Sequence, residues 1–213
     1  MADAFSSSPV LGWNLVLKEQ APKTPKQPRL RADAQRNRAR LVEVAAQAFT
    51  ERGASASLEQ IAKDAGVGIG TLYRHFPTRE HLVEVVYRRE LELLASAAGE
   101  LMAEKTPDVA LEEWMHRFVS YMAAKRGMAD SLKAVLTSNA TLFTESSTLM
   151  HTTFGNLLRA AIDAGTIKDD IETSDVLYTL FGIYSVPDTP DWRERAHRIV
   201  RLIMDGLRLQ PRS

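Results

Sequence analysis

The sequence predicts an all-α protein, and three observations carry that prediction. Apolar residues recur at three- and four-residue spacing from about Ala32 onward, as in Leu41, Val44, Ala45, Ala48 and Phe49. Helix caps and stops punctuate the pattern, with Ser57, Thr78 and Ser174 at starts and Gly53, Gly66, Gly127 and Gly165 at ends. No segment keeps the two-residue alternation of a half-buried strand, and there is no internal repeat.

Taken in order, residues 1–28 hold Pro9, Pro22, Pro25 and Pro28 among serines and lysines, and read as a flexible arm. Within it only VLGWNLVL has the apolar content to dock as a short strand or helical turn. A first helix runs from about Ala32 to a stop at Gly53. Ser57 then opens S-L-E-Q, a capping box with Gln60 at its third helical position, and Leu58, Ile61, Ala62 and Ala65 make a short apolar face. Gly66 ends that helix, and a second short one covers Ile69 to His75 before Pro77 forbids continuation. Thr78 caps a long helix bearing Leu82, Val85, Val86, Leu93, Leu94, Ala97, Leu101 and Met102. Pro107 and Asp108 open the next, which stops at Gly127. Further helices are expected over Ala129–Thr137, Ser147–Ala164 and Ser174–Tyr184. Pro187 and Pro190 break the chain before a last helix, Asp191–Leu209.

Composition narrows the function classes. The chain has no cysteine, so disulfides, thiolate catalysis and cysteine-rich zinc sites are excluded. No apolar run approaches the roughly 18 residues that span a bilayer. The start, MADAFSSSPVLGWNLVLKEQ, lacks the basic region of a signal peptide, so the expected location is the cytoplasm, with no membrane partner. The net charge of zero hides an asymmetry. Lys18, Lys23, Lys26, Arg29, Arg31, Arg36, Arg38 and Arg40 face only Glu19 and Asp33 across that stretch, whereas acidic residues outnumber basic ones from Leu91 onward. The basic end is where a nucleic-acid partner is expected.

The stretch LEQIAKDAGVGIGTLYRHFP decides between two readings of its glycines. A dinucleotide loop needs G-x-G-x-x-G between a strand and a helix. Here the spacing is G-x-G-x-G, the preceding segment is helical, and no lysine follows at phosphate-loop spacing. A helix-turn-helix fits at each position. Ala62 is small where the second helix must pass, Gly66 takes the positive φ of the turn, and Val67 and Leu72 pack inward. Ile69, Gly70, Thr71, Tyr73, Arg74 and His75 then face outward, on a helix whose start suits the roughly 12 Å major groove.

The residues AAQAFTERG, LEQIAKDAGVGIGTLYRHFPTREHL and above all GTLYRHF resemble the DNA-binding domain of the tetracycline-repressor (TetR) family. The resemblance covers about fifty residues, Arg36 to Leu82, and is looser in the C-terminal half, around WMHRF and GMADSLKAVL. It implies a flexible arm (1–28), a three-helix DNA-binding domain (29–78) and a larger helical domain (79–213) that binds a small molecule and dimerises. It also implies roles. Thr71, Tyr73 and His75 stand where the family contacts phosphates and base edges, and Arg79 at a phosphate-contacting position. Ser57 opens a helix whose free N–H groups face a phosphate. Gly68, Ile69, Gly70 and Arg74 set sequence preference. Gly68 and Ile69 replace the long polar side chains of other members, so direct readout there is thin. Arg36, in the basic run Arg29–Arg40, is expected to add phosphate or minor-groove contacts.

The sequence also carries the residues of one enzyme alternative. Glu113 with His116, and Glu194 with His197, form two E-x-x-H pairs of the kind that hold a di-iron centre in helical bundles. Helical projection puts Trp114, Met115, Phe118, Tyr121 and Met122 on one face and turns Glu113 and His116 away from it. In the last helix Glu194 lies opposite the apolar stripe and His197 at its flank. No catalytic set, metal or cofactor is therefore expected.

In the C-terminal half, Trp114, Phe118, Tyr121, Phe143, His151 and Phe154 are the candidate walls of an effector cavity, which suits an apolar or aromatic ligand. The resemblance places the last two helices at a dimer interface. Val176, Leu177, Leu180, Phe181, Ile199, Val200, Ile203, Met204 and Leu207 supply its apolar surface. The expected protein is a homodimeric repressor on a palindromic operator, released when an effector shifts the helix beginning near Thr78.

Overall fold

The first helix, α1 (Gln27–Arg52), opens the computed structural model, which describes residues 27–187 and 189–209. It starts at Gln27 rather than near Ala32, so the basic run from Arg29 to Arg40 is part of a helix and not of a free arm. The rest of the expected arm, VLGWNLVL included, lies outside the described residues. Leu41, Ala45, Ala48 and Phe49 form the buried stripe of α1. The last carbonyls of a helix lack intrahelical partners. Here Ser55 Oγ donates to Arg52 O (2.6 Å) and Arg193 to Thr50 O (3.0 Å).

A short 3₁₀ turn leads to α2 (Leu58–Asp64) and α3 (Ile69–His75). Ser57 Oγ accepts from Gln60 N at 3.1 Å, but the capping box is half made. The Gln60 side chain turns to Asp64 instead (2.6 Å), which also accepts from Arg52 (2.8 Å). Those bonds, the one from Arg52 first, hold the Asp64 carboxyl below the usual range. At the turn, Val67 N donates to Ala62 O and Gly66 N to Lys63 O, both at 3.0 Å. This is the paired closure of a Schellman cap, and it requires the left-handed φ of 72° that Gly66 adopts. Leu72 and Phe76 are fully buried beneath α1.

The larger domain follows: α4 (Arg79–Glu104), α5 (Pro107–Gly127), α6 (Ala129–Ser138), α7 (Ala140–Asp163), α8 (Thr173–Phe181) and α9 (Trp192–Leu207). Thr78 Oγ caps α4 by accepting from His81 N (3.1 Å). α7 begins at Ala140, well before the expected Ser147, because Asn139 Oδ1 accepts from Leu142 N (3.0 Å) and starts the helix there. α8 gives way to a 3₁₀ turn, Gly182–Ser185. The segment after α7 pairs with the chain after α9, Lys168 N donating to Leu207 O and Leu209 N to Thr166 O.

α4, α5 and α7 enclose the centre of this domain. Trp114 anchors it: its ring lies 6.1 Å from Phe118 and 5.6 Å from Phe154, and its Nε1 donates to Leu94 O of α4 (2.8 Å). The core runs without interruption from Leu41 and Phe49 in the head to Trp114 and Met204. The tightest crossing joins the two parts. A Cβ on Gly127, at the end of α5, would lie 1.8 Å from Phe49 O in α1. Gly127 is thus a contact glycine as well as a helix stop.

Candidate functional site

The outer face of α3 presents Gly68, Ile69, Gly70, Tyr73 and Arg74 to solvent, with Thr71 and His75 half-buried at its sides. The glycines here have no role inside the chain. Gly68 takes φ −71° as the N-cap of α3, a conformation open to any residue. A Cβ on Gly68 or Gly70 would meet nothing within 4 Å. Helix propensity alone disfavours Gly70 by about 1 kcal/mol relative to alanine. What two such glycines create is a smooth surface that another molecule's backbone can approach closely.

Around this face the expected contact residues differ in availability. Arg74 curls onto its own helix, Nε donating to Gly70 O (3.2 Å), and remains exposed. Ser57 is exposed, though its Oγ caps α2. Arg36 is exposed and ion-paired with Asp33. Arg79 is turned inward: Nη1 donates to Ala56 O (2.7 Å) and the guanidinium sits 5.2 Å from the Phe49 ring centre. It fastens α4 to the start of α2, and only its remaining N–H groups are open to a phosphate. Arg38, which sequence reasoning did not single out, lies 5.2 Å from the Phe76 ring centre and braces α1 against the end of α3.

In the C-terminal domain two adjoining clefts share Lys125, Leu136, Phe143 and Phe181. The larger, about 710 Å³, is also lined by Met122, Leu132, Lys133 and Tyr184. The smaller, about 490 Å³, adds Tyr87, Tyr121, Ser146 and Met150. Of the expected wall residues, Tyr121 and Phe143 line this space. Trp114, Phe118 and Phe154 do not: each is fully buried, packed against one another and α4 as core. His151 is exposed on α7 and lines neither cleft. Aromatic size alone does not separate a core ring from a wall ring, because both sit on the same helix face.

Residues 41–86 match the model of bacterial regulatory proteins of the tetR family, and residues 106–209 match the C-terminal domain of SbtR-like transcriptional regulators. A TetR transcriptional regulator from Streptomyces coelicolor is 42% identical with a TM-score of 0.72, over 82% of this chain and 99% of that one. A TetR regulatory protein from Mycobacterium vanbaalenii is 35% identical with a TM-score of 0.66, over 84% of this chain and 99% of that one. The chain belongs to the TetR family of transcriptional regulators. Curated helix-turn-helix regulators of Staphylococcus aureus are 43% identical over 65 residues, 30% of this chain. The chain spans about a third (35%) of the length of these curated relatives.

Within this TetR frame α2–α3 is the helix-turn-helix. The outer face of α9 carries Leu202, 71% exposed, with Ile199 and Ile203 half-buried near it, while Tyr178 of α8, 75% exposed, lines the smaller cleft. Most of the residues expected at a dimer interface are instead inside this chain's own core: Val176, Leu177, Leu180, Val200, Met204 and Leu207 are all buried. Leu202 projects from α9 away from its buried stripe, which is why apolar spacing selects the inner set.

The E-x-x-H residues also fall differently from their projection. His116 and His197 meet across α5 and α9, Nδ1 to Nδ1 at 2.8 Å, half-buried. Glu113 pairs with Lys105 (3.4 Å) and the exposed Glu194 with Arg198 (3.9 Å), so the four ligands of a di-iron centre do not converge. Among the described residues no helix is long and apolar enough to cross a membrane.

Proposed function

We propose that this TetR-family chain is a ligand-released repressor that binds a palindromic operator as a homodimer in the cytoplasm. The observation that carries the DNA-reading role is the α3 face, where Gly68 and Gly70 serve no need of the fold and lie between outward hydrogen-bonding side chains. Laid into a major groove, that face lets Thr71 and Tyr73 reach phosphates, Ile69 touch a thymine methyl, and Arg74 leave Gly70 O for a guanine edge. Leu202, Ile199 and Ile203 supply an isologous interface. A dimer of this kind sets the heads about one helical turn, roughly 34–36 Å, apart.

Coupling runs through the end of α5. Lys125 lines both clefts, and its neighbour Arg126 donates to Tyr184 O (3.1 Å) and Val186 O (2.6 Å) and lies 4.9 Å from the Trp192 ring centre. Gly127 then abuts Phe49 of α1, and Arg193 of α9 holds Thr50 O. An effector that moves this corner changes the spacing of the heads, alongside any shift of α4. A difference of about 1–3 kcal/mol between the two states suffices.

The test is Arg74→Ala, titrated by fluorescence anisotropy against a selected operator and against random duplex. A base-reading Arg74 predicts about ten- to hundredfold loss on the operator and little on random DNA. Equal losses on both would count against readout by α3. Leu202→Asp, followed by light scattering, tests the interface: a dimer that survives the change places it elsewhere.

A further inference from the structure

Lys125 is the charged group that both lobes of the effector cleft share. Half-buried on α5, it has no carboxylate partner among the described residues, and its Nζ lies 5.9 Å from the centre of the Tyr184 ring. Burial alone pulls its ammonium below the ordinary lysine range. Ser146 is a residue of the smaller lobe's wall, and its buried Oγ has no hydrogen-bond partner among the described residues. A buried hydroxyl left in that state costs roughly 1–3 kcal/mol, so a group that satisfies it belongs there. Tyr121, also in this lobe, is buried, and desolvation, then the charge of and hydrogen bond to the Tyr87 phenol, raise its pKa well above the usual value, so its proton is held toward Tyr87. No acidic residue lines the smaller lobe. Asp130 and Lys133 stand exposed at the rim of the larger one, where their charges offset each other. Ser147, Tyr87 and Tyr178 add hydroxyls to the smaller lobe, and Leu136, Phe143, Met150 and Phe181 make its apolar wall.

We propose that the effector is an amphipathic anion, an aromatic or aliphatic body seated between Phe143 and Phe181 with one acidic group held by Lys125 and hydrogen-bonded by Ser146. The assignment rests on the reading of this cleft as the effector site. The logic is charge and hydrogen bonding together: the lobe offers an ammonium with no carboxylate partner among the described residues and a hydroxyl in need of a partner, and an acceptor-rich anion answers both. A cation would meet the like charge of Lys125, and a neutral hydrocarbon would leave Ser146 unsatisfied.

Two probes of nearly one shape separate the possibilities. 8-Anilinonaphthalene-1-sulfonate carries the anion, and N-phenyl-1-naphthylamine is the same framework without it. Both are titrated by fluorescence into the full chain and into Lys125→Met, Lys125→Arg and Ser146→Ala, each first verified as folded by circular dichroism. The sulfonate is expected to weaken about tenfold or more in Lys125→Met and about threefold in Ser146→Ala, while Lys125→Arg retains it and the neutral probe stays within about twofold throughout. Raising the pH through the depressed lysine pKa weakens the sulfonate and leaves the neutral probe unchanged, because the charge lost is the protein's. If Lys125→Met affects both probes alike, or neither, the anion assignment falls while the cleft stands. If Phe143→Ala and Phe181→Ala leave both titrations untouched, or neither probe saturates, the cleft itself is refuted and the anion with it.

Discussion

Replacing Gly127 by alanine perturbs a crossing where α1 and α5 touch backbone to backbone. The new Cβ would sit 1.8 Å from Phe49 O and 2.6 Å from Phe49 C. A carbon needs roughly 3.3 Å or more from an oxygen it does not bond, so α1 and α5 must separate by about 1.5 Å. No rotamer relieves the clash, because both partners are main chain and Phe49 is fully buried. Overpacking of a close-packed core costs about 1–3 kcal/mol, and a backbone clash belongs at the upper end. The same corner holds Arg193 on Thr50 O, so the displacement also loosens α9 from α1. The assay is urea unfolding by far-ultraviolet circular dichroism, with Gly99→Ala as control. Gly99 is exposed within α4 and a Cβ there meets nothing within 4 Å, so that change should stabilise by up to about 1 kcal/mol. The expected result is a loss of about 3 kcal/mol for Gly127→Ala with weakened operator binding. Stability within about 0.5 kcal/mol of the parent would refute the crossing as described.

Two further outcomes follow from the geometry. Gly70→Ala should leave folding unchanged or improve it by up to about 1 kcal/mol, yet reduce DNA affinity about tenfold or more, which separates a surface kept clear for DNA from a surface kept for the fold; unfolding and anisotropy titrations on one preparation check both. The His116–His197 contact makes stability depend on pH. Desolvation lowers both imidazole pKa values, Glu112 and Glu113 oppose the shift at His116, and Arg201, Arg193 and the partner ring reinforce it at His197. The unfolded chain therefore takes up protons first as pH falls below about 6.5, so stability is constant above that value and declines below it until the folded-state pKa values are passed. Melting temperatures from pH 7.5 to 5 should show this fall in the parent and a smaller one in His197→Gln; equal slopes would remove the pair from the pH response.

Local signals made the head and the bounds of α4, α5, α6 and α9 legible, and left hidden how the C-terminal helices close around the clefts. α3 was predicted at its observed bounds because Gly66, Leu72 and Pro77 each act within a few residues of the turn they define. The start of α7 was missed because ATLFTESS reads as polar loop, and only the Asn139 cap turns it helical. Lys125 is one charge near the end of an apolar helix, and its meaning depends on α6, α7 and α8 closing around it. Arg79 illustrates the reverse, a position that matches a family contact while its guanidinium is engaged on Ala56 and Phe49. His116 and His197, remote in sequence, meet only because α5 and α9 pack side by side.

The central claim, that α3 reads operator DNA from a dimer, is tested most directly by selecting duplexes from a random pool with the purified full chain. Binding of the selected site is then measured from about 50 to 200 mM salt. The account predicts an inverted repeat with half-sites about one helical turn apart, and a log affinity that falls linearly and steeply with log salt. An enriched pool without twofold symmetry, or no enrichment over a scrambled control, would contradict it.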